Sequence, residues 1–389
     1  MIDIGRRLGR VLSHVVLGLA LLTAPVHAAP TFETSAPYAI LVAYDTGTVL
    51  FEKNADQLTP PASMAKLMTM AAVFRELKEG RLTLEHEFTV SENAWRRGGA
   101  SSGGSSMFLP LGSRVKLVDL IQGVIVQSGN DACIVIAEGL AGSEGSFAEM
   151  MNRRAKEIGL TRSRFTNSHG LPDPEQKVTV RELAMIAAHI IREYPEYYKY
   201  YSQEEFTFNN IRQRSRNPLL SMGIGADGLK TGYTAESGYG LVGSALRGDQ
   251  RLIVVVNGLR TAKERAHETR KLLEWGFRAF QQITLFPAGE IVGEAKVYGG
   301  AQSRVPLVGE SALKMLLPRG GAADISAEVV YEGPIQAPVE KGQRIGVLRV
   351  TNAGRVVQEM PLYAAEDVGR GSIARRAWDA VAELVLSRI

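Results

Sequence analysis

Three short motifs stand in fixed order along the chain: Ser63-Met64-Ala65-Lys66, Ser128-Gly129-Asn130 and Lys230-Thr231-Gly232. Well over fifty residues separate each motif from the next, so the three act together only in a fold that brings distant elements around one cleft. Singly, each is close to noise. The first pattern recurs as Ser113-Arg114-Val115-Lys116 and Ser311-Ala312-Leu313-Lys314, and the second as Ser91-Glu92-Asn93 and Ser215-Arg216-Asn217. Lys-Thr-Gly occurs once, and the order and spacing of the set carry the signal.

The residue types suit acyl transfer. A serine hydroxyl is a weak nucleophile near neutral pH and needs a base within hydrogen-bond reach. On a helix, positions i and i+3 share a face, which sets Lys66 beside Ser63. Lys66 can take the Ser63 proton only when it is neutral part of the time, which calls for burial or a nearby positive charge, and Lys230 can supply that charge. Ser128 offers a hydroxyl to relay a proton to a leaving amine, and Asn130 an amide to hold a substrate carbonyl or orient Lys66. Lys230 and Thr231 on a strand edge offer an ammonium and a hydroxyl to a carboxylate, and Gly232 lets a substrate backbone approach. Alone, the same segments read as a solvated helix start, good turn chemistry and an exposed strand ending in a turn.

With 389 residues, 45% of them hydrophobic and 22% charged, the chain has the size of about two globular domains. Arg6, Arg7 and Arg10 precede an apolar stretch from Val11 to Leu22 that is too short to span a bilayer, and Val26-His27-Ala28 suits a signal peptidase. The expectation is a signal peptide over 1–28. Its removal takes three Arg and one Asp and lowers the formal charge from +4 to +2, so nucleic acid is not an expected partner. The single cysteine, Cys133, forms no intramolecular disulfide and reads as buried packing. No His-x-x-x-His spacing supports a metal, and no cofactor is expected. A Ser-His-Asp triad through His169 has no serine marked for it, and His169 reads as a turn residue.

Two β-rich runs from Tyr38 to Glu52 flank Asp45-Thr46-Gly47, a hairpin signal. Ser63 to Leu77 reads as a helix with Ser63 in its first turn. The Gly/Ser-rich stretch between Arg96 and Met107 reads as a mobile loop. Val115 to Val126 and Ala132 to Leu140 read as helices, which places Ser128-Gly129-Asn130 on a tight interhelical turn. Tyr239 to Leu246 and Arg251 to Leu259 read as adjacent strands of a mostly antiparallel sheet, followed by a helix from about Thr261 to Phe280. Beyond Ile283, short alternating segments predict a small β domain. In the last residues Ile373, Ala377, Trp378, Val381, Leu384, Val385 and Ile389 fall on one helical stripe with arginines beside it, the pattern of a helix lying on a membrane surface.

The three motifs form the set known from penicillin-binding proteins and class A β-lactamases. With Gln127 to Cys133, Glu205 to Gln213 and Leu272 to Phe277, the chain resembles the low-molecular-mass penicillin-binding proteins, the serine-type D-alanyl-D-alanine carboxypeptidases of the bacterial periplasm. The resemblance implies a mixed α/β (α+β) fold. A β-lactamase/transpeptidase-like domain over 29–282 would have helices packed on an antiparallel sheet. A β-rich domain over 283–367 and an amphipathic membrane-surface helix over 368–389 would follow. It further implies removal of the terminal D-alanine from peptidoglycan pentapeptide stems through an acyl-enzyme, inhibition by β-lactams, and a periplasmic enzyme attached to the outer face of the cytoplasmic membrane. By position, Ser63 would be the acylated nucleophile, Lys66 the general base and Ser128 the proton relay with Asn130 beside it. Lys230, Thr231 and Arg265 would bind the substrate carboxylate, and the Ser63 and Tyr233 N–H groups would form the oxyanion hole. Two positions depart from wider patterns: glycine stands between Ser128 and Asn130 where class A β-lactamases have aspartate, and Tyr233 stands where some relatives have histidine. A serine β-lactamase, a D-Ala-D-Ala endopeptidase and an inactive penicillin-binding sensor are the competing readings.

Overall fold

The structure, a computed structural model, describes residues 32–319, 325–352 and 354–374. The described residues fall into two compact units that divide between Ala279 and Phe280.

In the first unit, strands β1 (Tyr38–Ala43) and β2 (Val49–Lys53) form the expected hairpin, closed by Gly47 at φ +69°. A 3-10 turn over Ala62–Ala65 carries Ser63 and leads directly into α1 (Lys66–Lys78), whose first nine residues are all buried, Lys66 among them. The short strand β3 (Glu87–Thr89), helix α2 (Glu92–Gly98) and strand β4 (Arg114–Lys116) follow. Val115, expected to open a helix, instead pairs with Phe88 in the β3–β4 ladder, and α3 begins two residues later (Leu117–Gln122). The chain continues through a wide helical turn, Gly123–Gln127, into α4 (Asn130–Ala141). Helix α4 is buried from Asn130 to Ala137, which fits a segment apolar around most of its circumference.

Helices α5 (Glu144–Ile158) and α6 (Val180–Glu193) are each started by a hydroxyl N-cap, Ser143 and Thr179. After α7 (Pro195–Tyr198) come the hairpin strands β5 (Glu205–Phe208) and β6 (Ile211–Arg214), the long strands β7 (Ala226–Thr234), β8 (Gly238–Arg247) and β9 (Gln250–Leu259), and α8 (Ala262–Ala279). The main sheet runs β2-β1-β9-β8-β7 with every neighbouring pair antiparallel. Strand β7, which carries Lys230-Thr231-Gly232, is therefore at the sheet edge. A single core cluster, including Met68, Phe74, Ile134, Ile186 and Val255, joins α1, α4 and α6 to the sheet and fixes the three motifs relative to one another.

The second unit is built from strands between Phe280–Phe286 and Arg355–Ala364, nearly all antiparallel, around Val305, Leu307, Leu348, Val350 and Leu362. Val368 pairs with Val339 and Arg370 with Gly300, so the terminal helix cannot begin at 368 as expected. Helical geometry starts at Ile373, and the rest of that stripe lies outside the described residues, as does the signal segment 1–28. No helix among the described residues is long and apolar enough to cross a membrane.

Candidate active site

Ser63, Ser128, Asn130, Thr231, Gly232, Tyr233 and Arg265 all border one cleft of about 530 Å³. Lys66 lies beneath it, fully buried, and its Nζ makes three contacts: 2.9 Å to Ser63 Oγ, 2.8 Å to Asn130 Oδ1 and 2.6 Å to the His169 carbonyl oxygen. A neutral amine has two N–H groups and one lone pair. With the N–H groups on the two carbonyl-type acceptors, which can only accept, the lone pair is left for the Ser63 hydroxyl. Burial pushes the Lys66 pKa down to about 8, with Arg216 as the cationic neighbour acting in the same direction and Cys133 and Asp131 opposing. Lys230, expected to provide that charge, is itself buried, and desolvation first, then Lys66 and Arg216, hold its pKa well below the usual lysine value.

The Ser128 turn is bound tightly to the Gly/Ser-rich segment. Buried Asp131 accepts from Ser106 Oγ at 2.6 Å, from the Met107 N–H at 3.0 Å and from the Leu109 N–H at 3.2 Å, while the Asn130 N–H donates to the Ser105 carbonyl at 2.7 Å. The second half of the segment read as a loop is thereby clamped to the start of α4. Ser128 adopts φ +66° at the end of the preceding helical turn, and its buried Oγ has no hydrogen-bond partner within the protein. The glycine between Ser128 and Asn130 also has a steric cause. A Cβ at Gly129 would lie 2.7 Å from Asp131 Oδ1 and 3.1 Å from the Met107 nitrogen, so the room for an aspartate there is already taken.

Along β7, Thr231, Gly232 and Tyr233 border the cleft, whereas Lys230 lies behind its wall with Nζ donating to the Thr231 carbonyl at 3.1 Å. Gly232 borders the cleft and has a packing reason besides the one expected. A Cβ there would meet the Pro61 carbonyl oxygen at 3.0 Å, Met64 Cγ at 3.1 Å and Ala62 Cβ at 3.2 Å, so glycine lets the strand press against the nucleophile's own turn. Tyr233 is 54% exposed and stacks on Tyr239, its cross-strand partner. Arg265, in the first turns of α8, is buried with its Nε unpartnered. Cys133 is buried and its thiol is pushed up to about 12 by desolvation, in keeping with packing rather than chemistry.

Several contributors carry no sequence signal of their own. The His169 carbonyl that holds Lys66 belongs to a turn fixed from several sides: Thr69 Oγ1 donates to the Ser168 carbonyl at 2.6 Å, and the Gly170 N–H donates to Asn167 Oδ1 at 2.7 Å. The Leu171 N–H donates to His169 Nδ1, so the ring proton sits on Nε2, 3.1 Å from Glu144 Oε2. Burial lowers the His169 pKa against the pull of Glu144 and keeps the ring neutral. Burial alone would raise Glu144, but His169, Arg97 and Ser168 together hold its carboxyl below the usual range. Arg216, which donates to Ser105 Oγ at 2.7 Å, borders the same cleft.

Residues 24–261 match the family described as D-alanyl-D-alanine carboxypeptidase, and residues 280–370 match the C-terminal domain of penicillin-binding protein 5. The chain belongs to the D-alanyl-D-alanine carboxypeptidase family. It is 42% identical over 345 residues to the D-alanyl-D-alanine carboxypeptidase DacC of Escherichia coli K12, across 88% of this chain and 86% of that protein. Penicillin-binding protein 5 from Haemophilus influenzae has the same fold with a TM-score of 0.81 at 39% identity, covering 88% of this chain and 100% of that one. Penicillin-binding protein D2 from Listeria monocytogenes, solved in an ampicillin-bound form, matches with a TM-score of 0.56 at 29% identity, over 64% of this chain and 99% of that one. The mixed α/β fold followed by a β unit, expected from the sequence, is the architecture shared with the Haemophilus influenzae structure.

Proposed function

We propose that the protein is a serine D-alanyl-D-alanine carboxypeptidase that trims the terminal D-alanine from peptidoglycan pentapeptide stems through an ester on Ser63. The observation that carries this reading is the three-partner arrangement at Lys66, which satisfies the amine in both protonation states. As a base its lone pair faces Ser63; as an ammonium its third proton returns to the same oxygen.

Ser63 Oγ attacks the carbonyl carbon of the penultimate D-alanine while its proton passes to Lys66. Such positioned proton transfer contributes roughly 10²–10⁴-fold. The N–H groups of Ser63 and Tyr233 hold the developing oxyanion, and loss of one such donor costs about 3 kcal/mol. The amide C–N bond then breaks, and the leaving nitrogen takes a proton from Lys66 through Ser128 Oγ, whose unpartnered hydroxyl suits that relay. Free D-alanine departs, and water, deprotonated by Lys66 in turn, hydrolyses the ester. Asn130 keeps Lys66 aimed, while Thr231 and Arg265 meet the substrate's terminal carboxylate from the cleft wall, with Lys230 behind that wall on the Thr231 carbonyl. β-Lactams would acylate the same serine, a reading supported by the ampicillin-bound relative.

The organisation that goes with this function is a signal peptide over 1–28, a peptidase domain from 29 to about 279, a β-rich domain from about 280 to 370 and a membrane-surface tail beyond it, in the periplasm on the outer face of the cytoplasmic membrane. Release of D-alanine from diacetyl-L-Lys-D-Ala-D-Ala by the mature protein, abolished in Ser63→Ala, is the expected result. No release from a folded wild-type protein would refute the proposal.

A further inference from the structure

Arg265 is only 8% exposed and borders the cleft, its Nε is buried without a partner, and its side chain makes no ion pair among the described residues. It also sits near the start of α8, where the helix dipole disfavours a cation. An arginine keeps its charge under such conditions, so a buried guanidinium left without an acid has to be stabilised by something other than a salt bridge.

The neighbour that remains is an aromatic face. Arg265 Cζ lies 5.6 Å from the centroid of the Tyr239 ring, within cation–π range. The Tyr239 ring is itself held. Tyr233 stacks on it with centroids 4.1 Å apart and planes 26° from parallel, because the two residues face each other across the β7–β8 ladder. A column of two tyrosines on strands therefore leads to one guanidinium on a helix, at the wall of the cleft that holds Ser63.

We infer that Tyr239, braced by Tyr233, is a positioning residue that holds the Arg265 guanidinium over its ring, ready for the terminal carboxylate of the substrate. The inference rests on the carboxypeptidase reading and adds to it the means by which the free carboxylate is selected. The ring stabilises the guanidinium before substrate arrives without neutralising it, whereas an acidic partner would compete with the incoming carboxylate. It acts on binding rather than on proton transfer, so the loss belongs in KM.

The test compares Tyr239→Phe, Tyr239→Leu and the exposed-site variant Tyr233→Ala on diacetyl-L-Lys-D-Ala-D-Ala and on the same peptide with a C-terminal amide. Tyr239→Leu should raise KM for the acid peptide about tenfold with kcat within about twofold, the size expected for a partly desolvated cation–π contact. Tyr239→Phe, which keeps the ring face, should stay close to wild type. Tyr233→Ala should raise KM by a smaller factor in an unquestionably folded protein, since its side chain is half exposed. On the amide peptide, which has no carboxylate for Arg265 to meet, Tyr239→Leu should match wild type. Equal losses for Phe and Leu at position 239, equal losses on both peptides, or no change in either leucine or alanine variant would overturn the inference while leaving the carboxypeptidase reading intact. A wild-type protein that released no D-alanine would overturn both.

Discussion

Ser63 should be acylated at a rate that follows the neutral fraction of Lys66. The pKa of this lysine falls from 10.5 to about 8 because the ammonium is desolvated on every side, with Arg216 acting in the same direction. A base works only when deprotonated, so activity is lost as pH drops. With a pKa near 8, the neutral fraction is about 50% at pH 8, about 9% at pH 7 and about 1% at pH 6, tenfold per unit on the acid side and level above about pH 9. An unperturbed lysine would give about a thousandth of full activity at pH 7.5, so the lowered value is worth about two orders of magnitude there. The assay is the second-order rate constant for labelling by a fluorescent penicillin, measured from pH 6 to pH 10 with the fold checked at each point. Wild type should show one ionisation near pH 8. A rate that is flat from pH 6 to 9, or still climbing tenfold per unit above pH 9, would refute the assignment of Lys66 as a base tuned by burial.

Three further outcomes follow from the same contacts. Ser128→Ala removes a hydroxyl that has no partner, so unfolding free energy should stay within about 0.5 kcal/mol of wild type while D-alanine release falls roughly 10²–10³-fold; a clear loss of stability would show the hydroxyl to be structural. Gly129→Asp forces a side chain against Asp131 and the Met107 nitrogen and brings two carboxylates together, which should cost at least about 2 kcal/mol in chemical denaturation, and a variant as stable as wild type would contradict the packing argument. Glu144→Gln should lower kcat about tenfold with little change in KM, because a small displacement of the His169 carbonyl misplaces Lys66. The Glu144 carboxyl is held below its ordinary value of 4.5, so its contribution to stability is present above that pH and lost as pH falls through the lower folded-state value. The thermal-stability gap between Glu144→Gln and wild type should accordingly narrow on acidification, and a gap that widened would reverse the sign of the argument.

The parts of this molecule that were legible in its sequence are those governed by local rules. The β1–β2 hairpin follows from Asp45-Thr46-Gly47, the nucleophile's place at a helix start from the run Ser63 to Leu77, and the Ser128 turn from two apolar helical segments on either side of it. Val115 was misplaced because a three-residue strand pairing with Phe88 outweighs the helical periodicity that continues past it. The site residues announced themselves by motif, yet the partners that give them their properties did not. The His169 oxygen is a backbone atom, and 103 positions separate it from Lys66. Arg216 stands in a stretch where arginines are ordinary, and its importance comes from setting a positive charge near a desolvated lysine. Glycine at 129 and 232 reads as turn chemistry and room for substrate; what the sequence does not show is the close packing of both, against Asp131 and against the nucleophile's turn. In each case the missing information is a through-space contact that only the assembled core creates.

The most direct test of the account is to quench the mature protein during turnover of diacetyl-L-Lys-D-Ala-D-Ala and map the acylated residue by mass spectrometry. The account predicts the diacetyl-L-Lys-D-Ala ester on Ser63, absent from Ser63→Ala together with D-alanine release. An acyl group on any other residue, or D-alanine released at the wild-type rate by Ser63→Ala, would contradict it.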